Sequence, residues 1–276
     1  MNIKLFSSHS KTKLLFIFTL VTLLMSGCQA ISPVAETPAD RTDSVIIQTP
    51  DPVDEILTSQ FNSITFDFSG VAKDRTIETI PEILPNENSP YWEIMPKHWI
   101  VSLQDYPISD HIMKSQIFIY PVADMPGFNT AAAIIASDLK SLLEDRQIKD
   151  YLPFLPMYNA AQVMHSQVEY LEFTNGSGVR FLTQFDQAPL PINNTELIYT
   201  FQGLTSDGKY YVAAVFPIIH ADLPDSNQAN AQTQSDLEEF PTYLAETVAW
   251  LEQQPDASFT PDLSVLDALI QTIQVK

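Results

Sequence analysis

Cysteine is almost missing from this chain of 276 residues; it occurs once, at position 28. No disulfide can form within the chain, and no cysteine pair exists to hold zinc or an iron–sulfur cluster. Glycine is scarce too, with 7 residues. Phosphate-cradling loops need glycine for positive φ and for close backbone approach to the ligand. Neither G-x-x-x-x-G-K-[ST] nor G-x-G-x-x-G occurs, so no nucleotide is expected. Basic residues are few, 14 Lys and Arg against 34 Asp and Glu, for a formal net charge of -20. A surface this acidic has no basic patch from which binding could release counterions, which excludes nucleic acid as a partner. No H-E-x-x-H pattern and no calcium-loop spacing appears, so neither a metal nor another cofactor is expected.

Apolar residues, in contrast, make up 45 % of the chain, with 16 Phe and 10 Tyr. That is enough to build a core without disulfides. They also mark the N-terminus. Lys4, Lys11 and Lys13 precede an uncharged run from Leu14 to Met25, and Ser26-Gly27-Cys28 follows. A basic start, a short apolar stretch and small residues before a break form an export signal. The run is shorter than the ~20 residues a membrane-spanning helix needs. Leu24-Met25-Ser26-Gly27-Cys28 resembles the lipobox of bacterial lipoproteins, with Met25 in place of the usual leucine. The resemblance implies that residues 1–27 are removed and that Cys28, lipidated, becomes the mature N-terminus. Membrane contact then runs through the lipid and not through surface charge. Gln29 follows the cysteine where an Asp would retain the protein at the inner membrane. In a host with two membranes the resemblance therefore implies outer-membrane sorting.

From Cys28 to residue 60 the chain is rich in Pro, Thr, Ser and Asp, among them Pro33, Pro38, Pro50, Pro52, Asp40, Asp43, Asp51 and Asp54. Such a stretch buries too little apolar surface to offset its ordering entropy and reads as a disordered acidic tether. A single globular domain is expected over 61–276. Ile64, Phe66 and Phe68 alternate with polar residues as a strand does. Pro81, Pro85, Pro90 and Pro96 make 79–97 a long structured loop around Tyr91 and Trp92. Trp99, Val101 and Leu103 give a second strand, and Ile117 to Val122 a third. A helix is expected from Thr130 to Arg146, capped by Asn129 or Thr130, with Ile135, Leu139 and Leu142 on one face. An aromatic connector runs from Leu152 to Met157. Two hairpins follow. One turns through Asn175-Gly176-Ser177-Gly178, where the glycines permit positive φ, and the other through Asp207-Gly208. After a polar loop at 222–235, one helix starts near Pro241 and carries Leu244, Val248 and Leu251 together. A last helix is capped by Thr260 with Pro261 at its first position.

This order of elements argues for an α+β fold: a largely antiparallel sheet with hairpins, packed by one central and two C-terminal helices. The hairpin Phe201-Gln202-Gly203…Asp207-Gly208…Tyr210-Tyr211 and the closing amphipathic helix resemble Mog1/PsbP-like domains. That resemblance implies a binding or assembly role, since the members of that family are mostly non-catalytic.

Chemistry-bearing residues are thinly spread. Gly176-Ser177-Gly178 lacks the spacing of a nucleophile elbow, and a hairpin turn accounts for it. Glu169 and Glu172 are three apart on one strand and point to opposite faces, a poor carboxylate pair for glycoside hydrolysis. If Tyr170 faces the core, Glu172 shares that face near the strand end; whether Arg180 on the partner strand reaches it is open, and a cross-strand ion pair, not catalysis, is the role expected of any such contact. Tyr91, Trp92 and Tyr106, with Asp110 and His111, are the candidate ligand-binding residues, an aromatic surface beside a possible polar contact. Three functions are open. The first is a lipid-anchored, non-catalytic binding or accessory module for an envelope protein or a glycan, marked by an exposed apolar patch at the 79–97 or 151–158 loops. The second is a hydrolase of cell-wall or extracellular polymers, which requires two or more of Asp105, Asp110, His111, Glu172 and His220 to converge in a cleft. The third is a structural envelope protein with neither feature.

Overall fold

The computed structural model describes residues 62–86, 89–226 and 234–276. Cys28, the export signal, the tether and Phe61 lie outside the described residues, as does part of the polar 222–235 loop. In chain order the elements begin with β1 (Ile64–Thr65), β2 (Asp74–Ile80), β3 (His98–Gln104) and β4 (Gln116–Pro121). A helical turn then leads through the short α1 (Met125–Phe128) into α2 (Thr130–Asp145). The meander β5 (Ala161–Phe173), β6 (Gly176–Asp186), β7 (Ile198–Thr205) and β8 (Tyr210–Pro217) follows. The chain closes with β9 (Ile219–His220), α3 (Gln234–Leu251), β10 (Phe259–Thr260), α4 (Leu263–Gln271) and β11 (Gln274–Val275).

Seven strands form one sheet in the order β2-β3-β4-β8-β7-β6-β5, and every pairing is antiparallel. The fold is α+β, as the alternation of elements implies. Period-2 patterning places two cores on the two faces. Ile117, Ile119, Tyr199, Phe201, Val212, Ala214 and Phe216 face α4 and α3, joined by Leu251, Leu263, Leu266 and Ile270. Phe118, Tyr120, Val179, Phe181, Ile198, Tyr211, Ala213 and Val215 face α2, with Ala132, Ala136, Leu139 and Leu142. β8, which has strands on both sides and helices on both faces, is buried at every position.

Local chemistry explains most boundaries. The Asn129 side chain accepts from the N–H groups of Ala131 and Ala132 to open α2. Arg146, at φ 54°, closes it in the left-handed region. The last helix departs from expectation. Asp262 caps it by accepting from Ser264 N–H, whereas Thr260 pairs with Ile219 in the β9–β10 ladder, which removes it from the cap position. α3 starts at Gln234 and carries Pro241 inside it, earlier than the proline suggests.

Further departures concern strands. The strand expected at 64–68 is two residues long, and Phe66 and Phe68 leave it to pack under the Arg75 guanidinium at 5.1 and 4.9 Å. β2 was hidden by its composition: as an edge strand it is exposed at most positions and carries no apolar face for periodicity to reveal. In the first hairpin the strands run closer together than expected, leaving only Thr174 and Asn175 between β5 and β6. Gly176 and Gly178 lie inside β6, where a Cβ would collide with the Phe173 ring and with the Phe201 ring and Gln202 carbonyl. Close approach, not positive φ, requires them. Gly208 does take positive φ, at 70°, in the second hairpin.

One buried ion cluster ties α4 to the sheet. Arg180, fully buried on β6, donates to both carboxylate oxygens of Asp267 at 3.2 Å and to Gln167 O at 2.7 Å. Its cross-strand partner is Glu169 at 3.2 Å, directly opposite in register, and not Glu172. Tyr199 donates its hydroxyl to Asp267 Oδ1 at 2.8 Å. Burial opposes the Arg180 charge, but Asp267 and Glu169 outweigh it and hold the guanidinium above its ordinary range.

Candidate functional site

The sheet face that carries α2 is covered beyond that helix by the segment between α2 and β5. Two glutamines hold it there. Gln202, fully buried on β7, meets the backbone of Leu155 as a neighbouring strand would: it accepts from Leu155 N–H at 3.0 Å and donates to Leu155 O at 3.1 Å. Its oxygen also accepts from the Tyr211 hydroxyl at 2.6 Å, and its nitrogen donates to Thr200 Oγ1 at 2.8 Å. Gln162 repeats the device at Leu152, accepting from its N–H at 2.8 Å and donating to its carbonyl at 3.3 Å. A third amide, Asn129, holds the proline-rich loop. While its oxygen caps α2, its nitrogen donates to Tyr91 O and to Ile94 O, the latter at 2.9 Å.

Between these anchored pieces lies a cavity of about 450 Å³. One wall is the α2 face that carries Ala131, Ile135, Asp138 and Leu142. The opposite wall is the connector, with Tyr151, Phe154, Met157 and Tyr158, backed by Phe185 of β6. Phe154, Tyr158 and Phe185 form an aromatic triangle with centroids 4.5 to 5.5 Å apart. Burial raises the pKa of the Tyr158 hydroxyl, which keeps it protonated. Tyr91 and Tyr151, 57 % and 68 % exposed, stand at the cavity's edge, and Ile148, also exposed, lies between the lining residues Gln147 and Lys149.

The residues singled out from sequence are divided by the sheet. Tyr91 lines this cavity, and Trp92 packs edge-on against it with centroids 5.1 Å apart. Tyr106 packs, partly buried, against the core on the other face, its ring stacked on Phe216 and its hydroxyl donating to Pro217 O at 2.8 Å. Burial raises the pKa of that hydroxyl well above its ordinary value. Asp110 is exposed in the loop after β3. His111 anchors that loop, with Nδ1 accepting from Met113 N–H at 2.9 Å and Nε2 donating to Leu197 O at 3.0 Å. Trp99 is a core residue.

The residues a hydrolase would need are dispersed among separate contacts. Asp105 pairs with Lys73 at 3.6 Å on the surface. Glu172 is exposed opposite Ser177 at the hairpin end. His220 is buried against Trp250 and Phe259. Among the described residues no group of three His, Cys, Asp or Glu side chains is placed to hold a metal ion.

Ser258, His220 and Asp222 do lie in line, but with their protons running the wrong way for a nucleophile. His220 Nδ1 accepts from the Asp222 N–H at 3.2 Å, so Nε2 carries the proton and donates to Ser258 Oγ at 3.1 Å. Ser258 then donates to Pro255 O at 2.7 Å. The arrangement fixes the β9–β10 corner.

Sequence reasoning did not find Asp138, Lys149, Phe185 or the glutamine ties. Asp138 had a signal, an acid on the apolar stripe of α2 one turn from Ile135. Phe185 had none, because its partners are more than twenty residues away in the chain. Comparison of the chain with protein-family models, curated proteins and solved structures finds no match in any of the three. Among the described residues no helix is long and apolar enough to cross a membrane.

Proposed function

We propose that this protein is an exported lipoprotein, anchored through Cys28, whose domain binds an envelope component without transforming it. The Leu24–Cys28 segment supports export and lipidation, with outer-membrane residence in a host that has two membranes. One observation carries the binding reading: the 450 Å³ cavity, lined mainly by apolar and aromatic side chains and edged by exposed Tyr91 and Tyr151. Sites that take small ligands or projecting side chains have this character, a concave apolar body with few polar groups at its edge. An exposed aromatic edge on an acidic domain also marks a surface that a partner covers.

The test is titration with Nile red, a neutral dye whose emission rises in apolar surroundings. The wild-type protein is expected to show one saturable site, and Ala131→Trp, which fills the cavity from the first turn of α2, is expected to lose it. Absence of saturable emission, or emission unchanged by Ala131→Trp, would remove the binding reading.

A further inference from the structure

We propose that the cavity beside α2 takes a short apolar peptide with both termini free. This rests on the cavity being the binding site and adds the class of ligand. Of the side chains that line it only two are charged, Asp138 on the helix wall and Lys149 on the connector wall, and their signs are opposite. Neither has an ion-pair partner among the described residues. The lining amide of Gln162 is engaged by the Leu152 backbone. Gln147 and the tyrosines Tyr91, Tyr151 and Tyr158 add uncharged polar groups to the lining, and Ile135, Leu142, Phe154 and Phe185 give it apolar surface.

The cavity therefore offers an acceptor for an ammonium group, a donor for a carboxylate, and surface that rewards burial of an apolar side chain. A zwitterion with an apolar middle matches all three. A fatty acid would satisfy Lys149 and set its own negative charge in the same cavity as Asp138.

The experiment is displacement of Nile red from the full chain by phenylalanyl-leucine. The free dipeptide is expected to displace the dye, and its N-acetylated and C-amidated forms to do so about tenfold less well. Asp138→Asn should weaken the free dipeptide about tenfold and leave the N-acetylated form unchanged; Lys149→Met should do the same with respect to the C-amidated form. Both side chains are partly or fully exposed, and retained dye binding reports that each variant keeps the cavity. Capped and free dipeptides that compete equally would overturn the ligand class. So would laurate displacing the dye through Lys149 alone, with no penalty from Asp138. In both cases dye binding by the wild type leaves the cavity reading standing. Failure of the dye itself would remove both.

Discussion

Replacing Gln202 by methionine keeps the length and apolar bulk of the side chain but removes four hydrogen bonds. Thr200 Oγ1 keeps a partner, since it donates to Ala214 O at 2.7 Å. The N–H and carbonyl of Leu155 and the hydroxyl of Tyr211 do not keep theirs, and both residues are fully buried. Each orphaned buried group costs about 1–3 kcal/mol. Small shifts of the connector and entry of water hold the sum toward the low end, at roughly 3–5 kcal/mol. With a urea m-value of about 2 kcal/mol/M, the unfolding midpoint should drop by about 2 M. Gln162→Met removes the matching pair at Leu152, where Gln162 is only half-buried and water can take over, so its cost should be about 1 kcal/mol. Urea unfolding followed by near-ultraviolet circular dichroism measures both. The order matters more than either value. A Gln202→Met variant within about 1 kcal/mol of wild type, or more stable than Gln162→Met, would refute the account of how the connector is held.

Other outcomes follow from the same structure. Asp267→Leu leaves Arg180 buried without its main counter-charge and should cost roughly 3–5 kcal/mol in urea unfolding, while the Arg180→Met/Asp267→Leu pair should recover most of it. Gly178→Ala, which drives a Cβ into Phe201, should cost about 1–3 kcal/mol, against about 1 kcal/mol for Gly208→Ala at positive φ; equal effects would contradict the assignment of the two glycines. His98, His111 and His165 are each shifted below 6.5, chiefly by burial. Their neutral forms are favoured by folding, so this stability is complete above pH 6.5 and is lost as the pH falls through the lowered values. The urea midpoint should decline on going from about pH 7 to about pH 5, and His111→Gln should flatten that decline. Asp186 acts in the opposite sense: burial raises its carboxyl above 3.8, so its ionisation costs stability as the pH rises from there.

The layer plan was legible in the sequence because it rests on periodicity. The alternation in β3, the nearly unbroken apolar runs of β4 and β8 and the stripes of α2 and α4 each declare a buried element. Asp207-Gly208 declares its turn through the one backbone conformation only glycine takes easily. Elements without an apolar face declared little. β2 is an exposed edge, and the Thr260 cap signal lost to Asp262 because a distant strand, β9, claims Thr260. The site was half legible. Tyr91 and the aromatic connector stood out from their proline-rich surroundings, but a cavity is made by what folds opposite them. Asp138, Lys149, Phe185 and the Gln202 tie meet only through the tertiary fold. His111 and Tyr106, conspicuous as isolated polar or aromatic residues, turned out to have ordinary backbone partners at Leu197 and Pro217.

Anchoring at Cys28 is tested most directly by metabolic labelling with a clickable fatty acid, comparing the wild type with Cys28→Ser. The predicted result is label on the wild-type protein in the membrane fraction and none on the variant. Unlabelled wild-type protein released to the medium would contradict it.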